Sequence, residues 1–294
     1  MIVSAPAKIN LTLEVTGIED NGYHTLDTIF AWLQLEDSLS LEKASCTTLS
    51  ILSEGVSTEM VTADRDNLVL KAHAALQRAS GKELATEFVL TKRIPAGGGL
   101  GGGSADAAAA LFGLNRLFQL EMSQQELLEV ARPLGADVSF GLVGGMARGT
   151  RYGDVLESLS PLRPLLEREL VLVFPAFPCP TPTIYGLWDK SPSKVALGAS
   201  QKLLAARTEE EMLSLISNDL EEPAIQYHPP LKEYKEAMVG AGLQAVCVSG
   251  SGSTLFGFLP EAGDMDSVKQ QLSHLGVGVT TTRLREDKRF ELVS

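Results

Sequence analysis

Residues 95–106 read Pro95-Ala96-Gly97-Gly98-Gly99-Leu100-Gly101-Gly102-Gly103-Ser104-Ala105-Asp106, and this stretch decides the fold. Six of the seven residues from Gly97 to Gly103 are glycine, which loses more conformational freedom on folding than any other residue. Such a run is costly inside a helix or strand, so a close approach of the backbone to another group is the expected reason for it. A flexible surface loop or a tight corner is the alternative interpretation.

The segments that flank the glycines predict a strand before them and a helix after them. Glu87 to Leu90 favours a short strand that leads into Lys92-Arg93-Ile94-Pro95. From Ala105 to Phe118, apolar side chains recur on one face at helical spacing, and the alanines favour helix. A glycine loop between a strand and a helix N-terminus presents unpaired N–H groups and the positive end of the helix dipole to a phosphate. The sequence therefore predicts a phosphate-binding loop here.

Two other types of nucleotide-binding loop follow different patterns. The Walker loop requires Lys after its last glycine, where this sequence has Ser104, so that type is excluded. The dinucleotide-binding pattern is formally met by Gly97, Gly99 and Gly102, so a dehydrogenase is an alternative. A dehydrogenase also needs an acidic residue about 20 positions further on, at the end of a second strand. Glu121 stands there but lies between two predicted helices, which weakens that alternative.

The start of the chain predicts a β-rich region followed by a helix. Apolar and polar residues alternate from Ile9 to Val15, which is the period of a half-buried strand. Asn21-Gly22 is a turn signal, and a second strand-like run extends from Thr25 to Leu35. Helical spacing follows from Asp66 to Ala79.

The chain beyond the glycine loop predicts another helix and then a domain boundary. Ser123 and Glu126 form the capping-box pattern that opens a helix. Prolines concentrate after Leu159, which predicts a boundary near residue 160 and two domains, 1–160 and 161–294. The second part contains strand-like and helical runs at Leu170 to Phe174, Lys194 to Ala206, Leu231 to Val239, Gln244 to Val248 and Thr254 to Phe258. These runs predict a second α+β layer structure.

The composition is that of a folded, acidic, globular protein. Of the 294 residues, 44% are hydrophobic and 21% are charged, so the chain should fold throughout. The 25 basic and 37 acidic residues give a net charge of −12, which repels polyanions and argues against a nucleic-acid partner. No apolar stretch of about 18 residues and no signal-peptide core is present, so we expect a cytoplasmic enzyme without a membrane partner. The three scattered cysteines, Cys46, Cys179 and Cys247, predict neither a disulfide framework nor a zinc site.

The glycine loop resembles the phosphate loop of the GHMP kinases, the superfamily of galactokinase, homoserine kinase, mevalonate kinase and phosphomevalonate kinase. Five other segments are similar, in the same order, to those of the diphosphocytidyl-methylerythritol kinases within that superfamily. They are Ala5-Pro6-Ala7-Lys8-Ile9-Asn10-Leu11, Asp20-Asn21-Gly22-Tyr23-His24, Gly135-Ala136-Asp137-Val138, Asn218-Asp219-Leu220-Glu221 and Val248-Ser249-Gly250-Ser251-Gly252-Ser253. The resemblance therefore covers nearly the whole chain.

The resemblance implies an α+β fold of two domains, with the active site in the cleft between them. It also implies a kinase that uses ATP and Mg²⁺ to phosphorylate the 2-hydroxyl of a cytidine-diphosphate-linked methylerythritol in the non-mevalonate isoprenoid pathway. The implied partners are these two small molecules, and the sequence indicates no oligomeric state. A GHMP kinase acting on another alcohol, such as homoserine or a mevalonate derivative, is one alternative. A non-catalytic nucleotide-binding module is another.

By resemblance, two residues carry the catalysis. Asp137 is expected to position the attacking hydroxyl and accept its proton, which suits a carboxylate that is ionised at neutral pH. The alternative for Asp137 is a helix N-cap. Lys8 is expected beside Asp137 and the transferred phosphoryl group, where an ammonium stabilises negative charge, although a lysine on a strand is usually a solvated surface charge. Asn10 shares the face of Lys8 and is expected to hydrogen-bond the erythritol end of the substrate.

The resemblance assigns ATP binding to the glycine loop and to two positions near the adenine. Ser104 is expected to bind phosphate or Mg²⁺ through its hydroxyl, and an ordinary N-cap is a compatible alternative. Asn67 and Lys92 match family positions near the adenine. The expected ATP-binding residues are Asn67, Lys92, Pro95, Gly97, Gly98, Gly99, Leu100, Gly101, Gly102, Gly103 and Ser104.

Tyr23, His24 and Tyr185 correspond to the residues that hold cytosine in the family. A planar base fits between two aromatic faces, and such stacking contributes about 1–3 kcal/mol per base. Because stacking tolerates any base, selectivity has to come from hydrogen bonds around His24. The alternatives are a turn-flanking aromatic pair for Tyr23 and His24 and core packing for Tyr185. Thr181 lies in the same segment as Tyr185 and is expected near the substrate.

Two further segments contribute no residue to the expected site. Ser249 to Ser253 by itself predicts a tight turn, and by resemblance it faces the phosphate cleft from the second domain. The segment Gly149-Thr150-Arg151-Tyr152-Gly153-Asp154 departs from a more glycine-rich run that ends in Glu in the family. For this reason no role is assigned to Arg151 or Tyr152.

Overall fold

The computed structural model of the protein describes residues 1–190, 197–288 and 290–293. The strands, in chain order, are β1 (Ile2–Ile18), β2 (His24–Lys43), β3 (Thr48–Ser53), β4 (Thr86–Lys92), β5 (Met146–Arg151), β6 (Val155–Ser158), β7 (Glu169–Phe174), β8 (Ser217–Asn218), β9 (Gln244–Val248), β10 (Leu255–Phe258), β11 (Gly278–Arg283) and β12 (Leu292–Val293). The helices are α1 (Leu68–Ser80), α2 (Gly102–Leu117), α3 (Gln124–Ala131), α4 (Ala136–Val143), α5 (Arg163–Leu166), α6 (Thr181–Lys190), α7 (Ala199–Ala205), α8 (Glu209–Ser214), α9 (Glu221–Tyr227), α10 (Pro230–Gly240) and α11 (Met265–Leu272). None of the helices in these described ranges combines the length and the apolarity needed to cross a lipid bilayer.

The first sheet is built around the long antiparallel pair of β1 and β2. Within the described ranges it has eight strands, with β12, β1, β2, β4 and β3 in a row. Strand β5 pairs with β2 and β6, and β8 pairs in parallel with β1. The chain reverses between β1 and β2 at Gly22, whose φ of 81° suits glycine, so the predicted Asn21-Gly22 turn is confirmed.

Helix α2 lies close against this sheet because its buried face is made of small residues. Ala107 to Ala110 are fully buried, and a methyl group on Gly113 would lie 2.9 Å from the Leu41 side chain of β2. The apolar core around α2 includes Val3, Ala5, Leu39, Leu41, Phe88, Leu90, Leu111 and Leu114. Burying this face fixes α2 on the sheet, and so it fixes the helix N-terminus that adjoins the glycine loop.

The second sheet is antiparallel, with the strand order β11, β7, β10, β9. One of its faces packs against helices, including α6 through Ile184 and Trp188 and α10 through Leu231 and Met238. The other face packs against the first sheet. The buried cluster shared by the two sheets contains Ala7, Ile9, Leu11, Ile29, Leu172, Phe256 and Phe258.

The first sheet also contains two short strands from the later part of the sequence. Strands β8 and β12 both come after residue 160, and both pair with β1 of the first sheet. The second sheet takes its strands from Glu169 to Arg283. The division of the chain into domains at residue 160 stays a prediction.

Most elements predicted from periodicity are confirmed. The runs Ile9 to Val15 and Thr25 to Leu35 lie within β1 and β2, and the other strand-like runs correspond to β4, β7, β9 and β10. The capping box is confirmed, since the Ser123 hydroxyl accepts from the Glu126 N–H at 3.3 Å and the Glu126 carboxylate accepts from the Ser123 N–H at 2.8 Å. Helix α7 is shorter than the predicted helix from Lys194 to Ala206, and residues 194–196 of that prediction lie outside the described residues.

A buried ionic cluster fastens both ends of the glycine loop. The Lys92 ammonium, at the end of β4, donates to the Asp37 carboxylate of β2 and, at 2.7 Å, to the Asp106 carboxylate of α2. Asp37 also accepts from the backbone N–H groups of Arg93 and Ile94 at 2.5 and 2.9 Å. The glycine loop begins after Arg93 and Ile94 and ends before Asp106. The cluster therefore holds the two ends of the loop together.

One ammonium faces two carboxyl groups in this cluster, and all three side chains are buried. Burial raises the pKa of Asp106 to about 8, with the Lys92 charge opposing this rise and the Asp37 charge adding to it. Asp37 accepts several hydrogen bonds, whereas Oδ1 of Asp106 has no hydrogen-bond partner in the described chain. We conclude that Asp106 is the carboxyl that holds a proton near neutral pH, which leaves the cluster with little net charge.

This protonation makes the free energy of unfolding depend on pH. The pKa of Asp106 is raised from 3.8 to about 8, so between those values the folded state binds one proton more than the unfolded state. The stabilisation by this proton is complete below the unfolded pKa and is lost, at roughly 1 kcal/mol per pH unit, as the pH rises towards the folded pKa. Asp106→Asn removes the titrating group. We expect urea unfolding at pH 5, 6, 7 and 8 to give a free energy that falls more steeply with pH for the wild type than for this variant.

Asp287→Asn is the matched control, because it neutralises an exposed carboxylate that takes part in none of the hydrogen bonds of the cluster. It should leave the pH dependence of unfolding as in the wild type. Parallel pH curves for the wild type and Asp106→Asn would show that Asp106 is ionised in the folded protein.

Candidate active site

The glycine loop ends in an open helix N-terminus. Gly101 is the N-cap of α2, at φ 67°, and no side chain caps this helix. The first hydrogen bond of the helix runs from the Ala105 N–H to the Gly101 carbonyl at 2.8 Å. The N–H groups of Gly102, Gly103 and Ser104 therefore have no partner within the helix, as at any helix start. These residues line a cavity of about 340 Å³, so the loop presents free donors and a positive dipole end to that space.

The loop is braced from the other side by the turn between β9 and β10. The Ser249 hydroxyl donates to the Gly99 carbonyl at 3.1 Å, and the Thr254 N–H donates to the Gly98 carbonyl at 3.1 Å. Gly99 has φ 78°, and a side chain there would collide with the Ser249 carbonyl. Glycine is therefore required at position 99 both for backbone conformation and for this close approach.

The Asn218 side chain holds that turn in place. Its amide nitrogen donates to the Val248 carbonyl at 2.8 Å and to the Gly250 carbonyl at 2.7 Å. The neighbouring Asp219 carboxylate accepts from the Val15 N–H of β1 at 2.9 Å. The Asn218-Asp219 segment, which resembled the family without a predicted role, thus ties the turn of the second sheet to the first sheet.

Lys8 and Asp137 meet next to the loop. The Lys8 ammonium lies 3.4 Å from Oδ2 of Asp137 and donates to Oδ1 of Asn10 at 2.8 Å. The Lys8 N–H donates to the Leu100 carbonyl at 2.9 Å, so the same residue also binds the loop. Lys8 is only 7% exposed, in contrast to the alternative of a solvated surface lysine. The structure therefore places Lys8 beside Asp137, as the resemblance implied, and it adds a hydrogen bond from Lys8 to Asn10 that was not predicted.

Asp137 is the second residue of α4, and Gly135 is the N-cap of that helix. The N-cap interpretation of Asp137 is therefore wrong. The Asp137 side chain thus lies at the positive end of the α4 dipole and beside the Lys8 ammonium. The side chain of Asp137 is 34% exposed, which leaves room for a substrate hydroxyl to reach it.

A second cavity, of about 650 Å³, lies on the other side of the loop. It is lined by every residue predicted for catalysis or acceptor binding, namely Lys8, Asn10, Tyr23, His24, Asp137, Thr181 and Tyr185. Gly99 lines this cavity and also the smaller one. The two spaces therefore adjoin at the glycine loop, beside Lys8 and Asp137.

At the aromatic end of this cavity, two of the three residues predicted to hold cytosine pack against each other. The rings of His24 and Tyr185 are in contact, with centroids 4.5 Å apart and planes inclined by 34°. A base between two rings separates them by about 7 Å, twice the ~3.5 Å contact distance. A base therefore does not fit between His24 and Tyr185 as they stand. Burial, and secondarily the charge of Asp137, raises the pKa of Tyr185 far above its usual value, so Tyr185 keeps its hydroxyl proton.

Tyr23 is the open aromatic surface of the cavity. Its ring is 66% exposed and lies 5.5 Å from the ring of Tyr152 between centroids. The Tyr152 hydroxyl accepts from the Asn21 amide at 2.9 Å and donates to the Glu19 carboxylate. Sequence reasoning gave Tyr152 no role, although it lines the cavity. In the sequence, the signal for a role of Tyr152 was that the segment from Gly149 to Asp154 departs from the family pattern.

The remaining predicted residues have structural partners of their own. Asn67 is the N-cap of α1, accepts from the Val69 N–H at 2.9 Å and lines the smaller cavity. Lys92 lines the same cavity but is held by the buried cluster beneath the loop. The Thr181 hydroxyl lies 2.9 Å from the Ser251 hydroxyl. Ser104 stays a prediction as a magnesium ligand, since no group of three or more His, Cys, Asp or Glu suited to a metal occurs among the described residues.

Two family models match the chain. GHMP kinases N terminal domain matches residues 67–147, and GHMP kinases C terminal matches residues 200–278. The first match contains the glycine loop and Asp137, and the second contains Asn218 and the Ser249 to Ser253 turn. With the two sheets and their helices, these matches confirm the predicted α+β GHMP kinase fold.

Several relatives are similar over nearly the full chain. The 4-diphosphocytidyl-2-C-methyl-D-erythritol kinase of Rhodococcus jostii (strain RHA1) is 38% identical over 94% of this chain and 89% of its own length. The enzyme of the same name from Nocardia farcinica (strain IFM 10152) is 39% identical over 94% of this chain and 91% of its own length. The crystal structure of a 4-(cytidine 5'-diphospho)-2C-methyl-D-erythritol kinase has a TM-score of 0.76 at 33% identity and covers 97% of this chain and 99% of its own.

More distant structures share the fold alone. The homoserine kinase of Cytophaga hutchinsonii ATCC 33406 has a TM-score of 0.73 at 19% identity and covers 99% of this chain and 97% of its own. The Rhodococcus and Nocardia enzymes and this crystal structure, each above 30% identity over nearly the whole length, are all named as kinases of the same cytidine-diphosphate-linked methylerythritol. The chain therefore belongs to the 4-diphosphocytidyl-2-C-methyl-D-erythritol kinase family of the GHMP kinases.

Proposed function

We propose that this protein transfers the γ-phosphate of ATP to the 2-hydroxyl of 4-diphosphocytidyl-2-C-methyl-D-erythritol, a step of the non-mevalonate isoprenoid pathway. The observation that carries the proposal is the position of Lys8 and Asp137 where the two cavities adjoin at Gly99. The relatives named for this reaction support the choice of acceptor. The homoserine kinase and mevalonate kinase structures that match this chain at 19% and 14% identity support the fold alone.

The proposed chemistry depends on positioning and charge. Asp137 accepts a hydrogen bond from the 2-hydroxyl of the acceptor and aims its oxygen at the γ-phosphorus. As the new oxygen–phosphorus bond forms, the bond between the γ-phosphorus and the bridging oxygen breaks and ADP leaves. The hydroxyl proton passes to Asp137. Because the transition state of phosphoryl transfer is loose, the Lys8 ammonium contributes mainly by stabilising the negative charge spread over the phosphoryl oxygens.

The donor side of the site is the 340 Å³ cavity beneath the glycine loop. The free N–H groups of Gly102, Gly103 and Ser104 bind the phosphates of ATP, and Asn67 and Lys92 lie towards the adenine. Mg²⁺ entering with ATP would neutralise phosphate charge, and the Ser104 hydroxyl is the proposed protein ligand. Mg²⁺ usually keeps several waters and binds through one or two carboxylates together with substrate phosphates, and Asp66 and Asp106 are the carboxyl groups that line this cavity with Ser104.

The acceptor side has its polar end at Lys8 and its aromatic end at Tyr23. We propose that cytosine stacks on the exposed ring of Tyr23 with its polar edge towards His24. Asn10 and Thr181 then lie along the sugar-alcohol and diphosphate part of the substrate. The proposal includes a cytoplasmic location and no nucleic-acid or membrane partner.

A coupled assay of ADP release tests the activity directly. The purified protein is given ATP, Mg²⁺ and, in parallel reactions, the cytidyl substrate, homoserine and mevalonate. We expect rapid ADP release with the cytidyl substrate alone. Release with homoserine or mevalonate instead would identify another acceptor, and ATP binding without release for every acceptor would favour a nucleotide-binding module.

Asp137→Asn should lower kcat for the cytidyl substrate by at least about a hundredfold, because the amide cannot take the hydroxyl proton. The KM for ATP should change little, since the donor cavity is not lined by Asp137. Asp20→Asn is the control, because it neutralises an exposed carboxylate that lines neither cavity. A kcat of Asp137→Asn within a few fold of the wild-type value would remove Asp137 from the mechanism.

Tyr23→Ala should weaken binding of the cytidyl substrate through the loss of base stacking. A stacking contribution of about 1–3 kcal/mol predicts a KM for this substrate that is about 5- to 150-fold higher. The KM for ATP should remain unchanged. Tyr227→Ala is the matched control, because it also removes an exposed tyrosine but lies outside the cavity. An unchanged KM in Tyr23→Ala would mean that the base binds elsewhere.

A further inference from the structure

Asp189 and His24 form a hydrogen-bonded pair at the aromatic end of the acceptor cavity. Nε2 of His24, the first residue of β2, lies 2.7 Å from Oδ1 of Asp189 in the last turn of α6. An ionised carboxylate can only accept a hydrogen bond. The hydrogen of this bond therefore belongs to Nε2 of His24, and the pairing fixes the tautomer of a neutral ring.

The orientation of the His24 ring is fixed as well. Its face packs on Tyr185, with centroids 4.5 Å apart, and Trp188 approaches edge-on at 5.7 Å. The His24 side chain is only 12% exposed, yet it lines the acceptor cavity. Among the described residues, Nδ1 of His24 has no hydrogen-bond partner. In the tautomer fixed by Asp189, this nitrogen is a pure acceptor at the wall of the cavity.

A ring nitrogen that can only accept a hydrogen bond distinguishes cytosine from uracil. Cytosine carries an exocyclic amino group, a donor, at the position where uracil carries a carbonyl oxygen, an acceptor. The lone pair of Nδ1 attracts the amino group and repels the carbonyl. Stacking on Tyr23 does not provide this distinction, because every base has a face that stacks.

We propose that Asp189 is the specificity-determining positioning residue of the acceptor site. It holds His24 in the tautomer whose Nδ1 accepts a hydrogen bond from cytosine and rejects uracil. This inference rests on the proposed function, since it requires a pyrimidine base to enter the 650 Å³ cavity. Asp189 itself does not touch the reacting atoms. Asp189 acts through His24. Its substitution therefore changes the preference of the acceptor site for cytosine over uracil.

The test compares two acceptors that differ only in the base, the cytidyl substrate and its uridyl analogue. Asparagine at position 189 can turn either its oxygen or its amino group towards Nε2, so Asp189→Asn no longer fixes the tautomer. We expect the ratio of kcat/KM for the cytidyl over the uridyl acceptor to fall at least about tenfold, as expected for one hydrogen bond. The change should come from a higher KM for the cytidyl acceptor and a lower KM for the uridyl acceptor. Assays at about pH 8 keep clear of the ordinary titration range of imidazole.

Asp189→Glu is the conservative control, since it retains an acceptor-only carboxylate, and it should keep most of the base selectivity. A merely structural role of Asp189 would weaken both acceptors alike, which would leave the ratio unchanged. An unchanged ratio in a folded Asp189→Asn variant would therefore overturn the inference.

A second measurement separates this inference from the proposed function. Nitrogen NMR of the substrate-free protein, with the His24 signals assigned by comparison with His24→Gln, reports which ring nitrogen carries the hydrogen. We expect hydrogen on Nε2 in the wild type and a mixture of tautomers in Asp189→Asn. Hydrogen on Nδ1 in the wild type would overturn the role of Asp189 even if the kinase acts on the cytidyl substrate. A wild type with hydrogen on Nε2 but no activity on that substrate would refute the proposed function instead.

Discussion

The close approach of backbone to the Lys8 side chain is the constraint on which the active site depends. A methyl group on Gly101 would lie 3.0 Å from Cγ of Lys8, and one on Gly250 would lie 3.3 Å from its ammonium. Gly101 of the glycine loop and Gly250 of the turn between β9 and β10 therefore leave a narrow slot for the Lys8 side chain. The glycine loop also supplies N–H donors for phosphate. The slot holds the ammonium beside Asp137 through backbone contacts, so in the proposed reaction little reorganisation would be needed as charge develops on the phosphoryl group.

The two buried lysines of the site region have opposite electrostatic tasks. The Lys92 charge is balanced by one ionised carboxylate within its cluster with Asp37 and Asp106, and this cluster holds the two ends of the loop together. Lys8 faces one carboxylate that remains partly exposed, so its positive charge extends into the acceptor cavity. In a protein with a net charge of −12, this local arrangement offers anionic substrates a site that the overall charge does not.

Local patterns in the sequence were enough to predict the glycine loop and the helix after it, because the loop and α2 are contiguous in the chain. The meeting of Lys8 with Asp137 came from the family resemblance, since no local periodicity relates distant residues. Asp37 was missed because its pairing with Lys92 follows from the register of β2 on β4, in which Ser38 stands opposite Thr91. The contact between His24 and Tyr185 was missed for a similar reason, since it depends on how α6 packs against β2. Strands β3 and β6 were missed because no residue in them is fully buried, so they lack the apolar pattern that marks the buried strands.

During synthesis on the ribosome, β1 emerges long before the strands that cover its outer edge. Residues Thr12 and Leu13 of β1 pair with β8, and Ile2 and Val3 pair with β12. At about 5–20 residues per second, the roughly 200 residues between β1 and β8 take about 10–40 seconds to translate. Through that interval the nascent chain carries an open strand edge, which is a template for pairing with strands of other chains.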